Sequence, residues 1–292
     1  MPNTDTNTAV ELYSNKFISG LTNALAPLRA FSLDLSDEVK EPGETVNVPL
    51  VSADTVADWN DDTNNYGRTA ATLACKTVAL NKRKICGFAI TIAQMANFRP
   101  NYWEGKAELN QKEMADAVLT TVTDLVTGAN FGDTDAKKLA VALAPFGRKA
   151  VAALRAKIVA AGLIPGKSVL ALNPDFFSAL LADLDSQVYG GRESIVGGAI
   201  PGLLGFRSII EVPQYASPGF VCHPDAIAVG SRKITPADTT PYREFGSMVE
   251  PETGLAINRV WYTAGTTGQS NFSTECLYGC DVGNADALLR LV

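Results

Sequence analysis

Apolar positions along this chain change their spacing several times, and each change marks an element. Val10, Phe17, Leu21 and Leu25 recur at near-helical intervals, and Pro27 closes the run. A strand-like piece, 31–35, follows, and Glu41-Pro42-Gly43-Glu44 is a turn signal. From Thr45 the period falls to two: Val46, Val48 and Leu50 alternate with polar neighbours, as on a half-buried strand. The chain turns polar through 54–68, with Trp59 and Tyr66 embedded, and a returning strand is predicted over 72–92. Two long strands with a polar, aromatic-bearing tip describe a projecting hairpin, which has little interior of its own and needs a partner to lie against. On this reading residues 1–44 form an extended arm, and everything ahead of the long helix is ordered by other copies of the chain.

The longest helical pattern comes next. Asn110 is placed to cap it, with Glu113 three residues on, and Met114, Val118, Val122 and Leu125 form its apolar stripe before Gly128. A second helix is predicted from Pro145 to Ala161, with Gly162 after it. A short apolar strand, 168–172, runs into Asn173-Pro174-Asp175, which opens a helix over 176–184. A glycine-rich loop, 189–205, leads to strands at 206–212, 220–222 and 226–229, and the tail reads as β at 244–250, 255–264, 271–280 and 287–292. Helices and strands interleave irregularly, without repeated βαβ units, so the class is α+β.

Composition narrows the function classes. A chain of 292 residues with 46% hydrophobic content buries a sizeable core. Charged residues make up only 19%, which fits a surface partly covered by neighbouring subunits. The net charge of −6 argues against a dedicated nucleic-acid binder, and the densest basic run, Lys82-Arg83-Lys84, reads as a solvated face. The opening residues are polar, with neither the basic nor the apolar part of a secretion signal, and no uncharged apolar run spans a bilayer. Five scattered cysteines are not a disulfide framework. These features together predict a protein made and kept in a cytosol.

Candidate chemistry fails on its own geometric terms. Any Ser-His-Asp or Cys-His arrangement must use His223, which precedes Pro224 at a strand end and is expected not to pair productively with Asp225. Gly166-Lys167-Ser168 resembles the end of a phosphate loop, but Ala161 stands where a glycine is required, and the segment leaves a helix and enters a strand. Asp58, Asn60 and Asp62 begin like a calcium loop, yet Thr63 and Thr69 occupy the required Gly and Glu positions. Cys276 and Cys280, with Cys222 and His223, lie in predicted strands and read as small buried hydrophobes, not zinc ligands. Glu250 and Glu252 straddle Pro251 in a turn. No catalytic, metal or cofactor site is predicted.

The stretch Ser168-Val-Leu-Ala-Leu-Asn-Pro-Asp-Phe-Phe-Ser-Ala-Leu-Leu181 resembles a recurrent segment of tailed-bacteriophage major capsid proteins, an apolar strand ending in Asn-Pro and followed by an aromatic-bearing helix. Three later segments are similar to that family in the same order: Ile200-Pro-Gly-Leu-Leu-Gly-Phe206, Gly219-Phe-Val-Cys-His-Pro-Asp-Ala226 and Thr253-Gly-Leu-Ala-Ile-Asn-Arg-Val-Trp261. The residue-level likeness covers 168–261, and the element order extends it over nearly the whole chain.

The resemblance implies the Hong Kong 97-type fold. Its parts would be an N-terminal arm at 1–44, a projecting hairpin (E-loop) at 45–95, and a peripheral domain with the spine helix at 96–165, completed by 240–280. An axial domain would occupy 166–239, and the final strand, 281–292, would return to it. The implied role is a non-enzymatic virion protein whose copies self-assemble as pentamers and hexamers of an icosahedral head around double-stranded DNA, without sequence-specific contact with that DNA or with a membrane. Separate scaffolding, portal and decoration proteins are the further partners the family suggests. The arm begins almost at Met1, so assembly would use a separate scaffold or none. The tip at 54–68 has no lysine, so covalent crosslinking there is not expected. An encapsulin-like cellular shell shares the implied fold, and an enzyme of unknown class is the alternative of a different kind. Trp59, Tyr66 and Arg68 are the expected subunit contacts, because aromatics and arginine dominate interface energetics.

Overall fold

The structure, a computed structural model of the chain, describes residues 4–39, 41–50, 74–91, 100–184, 199–201, 203–236, 242–250, 253–263 and 269–292. Helix α1 (Thr4–Ala24) covers the predicted 10–25 run up to Ala24, and a 3-10 turn, Ala26–Ala30, places Pro27 where its missing N–H costs nothing. Tyr13, Phe17, Leu21, Leu25 and Leu28 are buried in the main core of their own chain, against helix α2 (Pro100–Thr123). This corrects the expectation that the residues ahead of the long helix lack an interior within the protomer. A spaced stripe reveals that a helix face is covered, not which copy covers it.

Helix α2 starts at Pro100, ahead of the cap expected at Asn110. Asn110 instead lies mid-helix, where its amide donates to the Tyr13 hydroxyl at 2.9 Å. Met114, Val118 and Val122 are buried as the stripe required, joined by Ala107, Ala115 and Leu119. Gly128 does not end α2 but opens a short helix, α3 (Gly128–Phe131), capped by the Thr127 hydroxyl, which accepts from the Asn130 N–H at 3.3 Å.

The first sheet joins β1 (Ser32–Val39), β4 (Lys82–Ile90), β10 (Ile227–Lys233), β11 (Glu244–Val249), β12 (Ala256–Thr263) and β13 (Ser270–Val282) in the order β1-β10-β13-β12-β11, with β4 also on β13. The long β13 serves three neighbours: residues 270–276 pair with β12, 277–282 with β10, and 270–278 with β4. Alternation decides the faces. Phe272, Cys276, Tyr278, Ile257 and Trp261 point into the core shared with α1 and α2, and the Tyr278 hydroxyl meets Thr121 Oγ1 at 3.0 Å. Leu277 and Ala228 point the other way, where the hairpin of β2 (Thr45–Leu50) and β3 (Ala74–Ala79) covers them with Val46, Val48, Val78 and Leu80. Gly279 makes that seat possible, since a side chain there would overlap the Ala79 carbonyl.

The predicted 72–92 strand is therefore two strands in two sheets. The break falls at Leu80 and Asn81, where the Leu80 N–H donates to the Glu44 carbonyl and the Gly43 N–H to the Leu80 carbonyl. Both halves alternate, so the period alone did not reveal the break.

The second sheet runs β5-β14-β9-β6-β8-β7, from β5 (Lys138–Leu139), β6 (Val169–Leu172), β7 (Ala199–Pro201), β8 (Ser208–Glu211), β9 (Gly219–Cys222) and β14 (Leu288–Leu291). Its central strands are buried on both faces, hence their continuous apolar sequences. Leu170, Leu172, Val221 and Leu289 meet helices α4 (Arg148–Ala160) and α5 (Pro174–Asp183) through Val151, Leu154, Ile158, Phe177 and Leu180. Val169, Ala171, Phe220 and Leu288 join the main core. Asn173 caps α5 by accepting the Phe176 N–H at 3.1 Å, as Asn-Pro-Asp suggested. Gly162, at φ 79°, ends α4.

Candidate shell-contact surface

Trp59, Tyr66 and Arg68, with the acidic run Asp58, Asn60 and Asp62, lie outside the described residues. What is described is the seat from which that segment departs. The β2–β3 pairing runs from Thr45 opposite Ala79 to Leu50 opposite Ala74. Lys76 adds an ion pair at 3.1 Å to Asp281 on β13. Leu50 ends beside Gly283, where β13 leaves the first sheet. The glycine-rich 189–205 loop lies largely outside the described residues as well.

Large apolar side chains reach solvent at several described positions, where packing against another molecule would remove them from water. Ile85 on β4 is 60% exposed and Tyr262 on β12 is 38% exposed. Both stand on the sheet face that the hairpin seats on, beyond the hairpin's edge. Tyr102 and Leu109, seven residues apart along α2, form a second exposed pair, and Val159 with Ile164 form a third at the end of α4. Sequence reasoning did not single these out, although Ile85 falls in the outward phase of a strand whose inward phase is Cys86, Phe88 and Ile90.

Electrostatics on the same face are internally matched. Glu275 accepts from Arg83 Nε at 3.0 Å and is buried beside Asn258. On the core side, Arg259 binds Glu244 and donates to Ser14 Oγ at 2.7 Å. Trp261 stacks on Phe272 at 5.0 Å and carries the Arg243 guanidinium at 4.4 Å on its ring.

The segments weighed for chemistry occupy structural roles. Pro165–Lys167 is a 3-10 turn entering β6, and the Ser168 hydroxyl donates to the Ile164 carbonyl at 2.9 Å, so no helix N-terminus faces a phosphate. Glu250 is fully buried and accepts from both the N–H and the hydroxyl of Thr253, while Pro251 and Glu252 lie outside the described residues. Burial pushes the Cys222 and Cys276 thiols up to about 12 and Cys280 up to about 11, which keeps them protonated and inert. His223 and Asp225 lie close, Nδ1 to Oδ2 at 3.2 Å, across the 3-10 turn Pro224–Ala226.

A helix ahead of the seated hairpin, a long helix under one sheet and a second sheet with its own helices make up the described architecture. No family model and no curated protein matches the sequence. Solved structures do match. The capsid of Ralstonia phage GP4 superposes with a TM-score of 0.58 at 9% identity, covering 90% of this chain and 86% of that one. The capsid of Cyanophage P-SCSP1u gives 0.52 at 12% identity over 90% and 86%. A structure from Mycobacterium phage Che8 gives 0.50 at 15% identity over 85% and 84%. The chain has the fold of these phage capsid structures.

Proposed function

We propose that this chain is the major capsid protein of a tailed phage, with copies closing as pentamers and hexamers into an icosahedral head around double-stranded DNA. The observation that carries the reading is the superposition on the GP4 capsid over 90% of the chain. Such an assembly needs only modest individual contacts, because heterologous contacts reinforce one another once the geometry closes.

On this proposal α2 is the spine helix of a Hong Kong 97-type subunit, the first sheet belongs to the peripheral domain and the second to the axial domain. Residues 45–79 supply the projecting hairpin, while β4, expected within it, belongs to the first sheet, and Trp59, Tyr66 and Arg68 make subunit contacts. The exposed Ile85 and Tyr262 become covered in the shell. Scaffolding, portal and decoration proteins would be separate partners, and assembly would take place in the host cytoplasm.

Sedimentation velocity on the expressed chain tests this. Closed particles sedimenting orders of magnitude faster than a 30.9 kDa protomer are expected, and a Trp59→Ala, Tyr66→Ala, Arg68→Ala variant should stay dispersed and folded. A wild-type chain that remains a protomer at every concentration would refute the shell. Normal particles from the triple variant would remove those residues from the contact.

A further inference from the structure

The two sheets give the protomer two unlike sides. The β2–β3 hairpin seats on the face of the first sheet turned away from the main core, and α4 and α5 cover the face of the second sheet turned away from it. Both sheets and the core between them separate the hairpin from α4 and α5.

The α4–α5 side holds a cleft of about 870 Å³, between the start of α4 and the end of α5. Phe146, buried and packed edge-on against Phe176 at 5.1 Å, forms its floor. Ala179 and Ala182 leave the space beside that ring open, because neither side chain extends past its Cβ, and Leu143 stands 45% exposed at the rim. The rim is also cationic. Arg148 is held by Asp183, Nε to Oδ2 at 3.4 Å, whereas Lys149 pairs with no carboxylate among the described residues. An apolar floor beside an unmatched ammonium fits an aromatic side chain flanked by carboxylates.

One segment of the chain has that chemistry. Residues 51–73, outside the described residues, join β2 to β3 and carry Asp58-Trp59-Asn60-Asp61-Asp62. Asp54 adds a further carboxylate, and no Lys or Arg occurs from 41 to 67. Drawn out at about 3.3 Å per residue, half of the 51–73 stretch reaches roughly 35 Å from its seat. Its own cleft is on the far side of both sheets, so the cleft it fits belongs to another copy.

We propose that the Asp58–Asp62 run of one copy docks in the α4–α5 cleft of the next, with Trp59 on Phe146 and a carboxylate on Lys149. The inference rests on the shell reading and deepens it by naming the surface that receives the hairpin. Donor and acceptor are different surfaces on opposite sides of the protomer, so the contact is heterologous and repeats around a closed ring.

Crosslinking tests it on the full chain. In a Cys75→Ser background, which removes the exposed thiol, chains carrying Asn60→Cys and chains carrying Ala182→Cys are mixed, assembled and treated with a short bis-maleimide. Covalent dimers from the mixture, and none from either chain alone, are expected. Normal particles without the dimer would overturn the cleft as the receiving surface and leave the shell reading standing. A wild-type chain that never assembles would remove the shell reading and this contact with it. A crosslink closed within single protomers of the double variant would overturn the passage between copies. Lys149→Glu should raise the concentration for half-assembly by about two- to fivefold, the span of one exposed ion pair, and Asp61→Lys in the same chain should restore it. An unmoved half-assembly concentration in Lys149→Glu would contradict the charge match on which the choice of segment rests.

Discussion

Replacing Phe17 with alanine separates a docked helix from an arm that finds its order on neighbouring copies. Phe17 is 0% exposed, stacks on Tyr13 at 5.9 Å and sits in the same core as Met114 and Val118 of α2. Tyr13 extends the contact to the first sheet, through Phe88 at 5.6 Å and Phe272 at 5.7 Å beyond it. A phenylalanine removed from a core that cannot collapse costs about 3–5 kcal/mol, lost transfer energy plus the cavity left behind. Urea unfolding of the dispersed protomer should show that loss at an unchanged slope, and Phe17→Leu should lose much less. A loss below about 1 kcal/mol in the protomer would mean that α1 is not seated on its own α2. The arm would then be ordered by other copies after all.

Further outcomes follow from single contacts. Asn173→Ala removes the cap of α5 and should cost about 0.5–2 kcal/mol in a thermal melt, with Asn173→Asp close to wild type; equal melts for all three would deny the cap its role. Asp183 accepts the Arg148 N–H at 2.7 Å, and that bond, with the guanidinium, holds its carboxyl below the usual 3.8. Its stabilisation is present above the unfolded carboxylate range and lost as pH falls through the lowered folded value, so wild type and Asp183→Asn should melt apart at pH 6 and together near about pH 2. A gap that persists in strong acid would contradict that assignment. Iodoacetamide at pH 8 should label the exposed Cys75 in the native protein and spare Cys222 and Cys276, whose thiols burial keeps protonated; equal labelling would show that the core is open.

Element order was legible in the sequence because most segments state their period and their punctuation. Asn173-Pro174, Gly162 and the turns at Glu41 and Thr253 all act as their residue types require. What was hidden depended on partners remote in the chain. Asn110 carries a capping residue's side chain but spends it on the Tyr13 hydroxyl from inside the described helix. The alternation from Ala74 to Ile90 conceals a change of sheet, because both segments keep a period of two while their partners differ. The contact between His223 and Asp225 depends on the 3-10 turn through Pro224, which their residue types alone do not announce. Surface residues such as Ile85 and Leu109 gave the weakest signal, since an outward apolar side chain gains its meaning only from whatever covers it.

Negative-stain electron microscopy of the purified chain bears most directly on the central claim. Hollow, closed polyhedra of uniform diameter, with hexameric and pentameric clusters resolved in class averages, are the predicted result. A field of dispersed particles the size of one 30.9 kDa protomer, unchanged by raising the concentration, would contradict it.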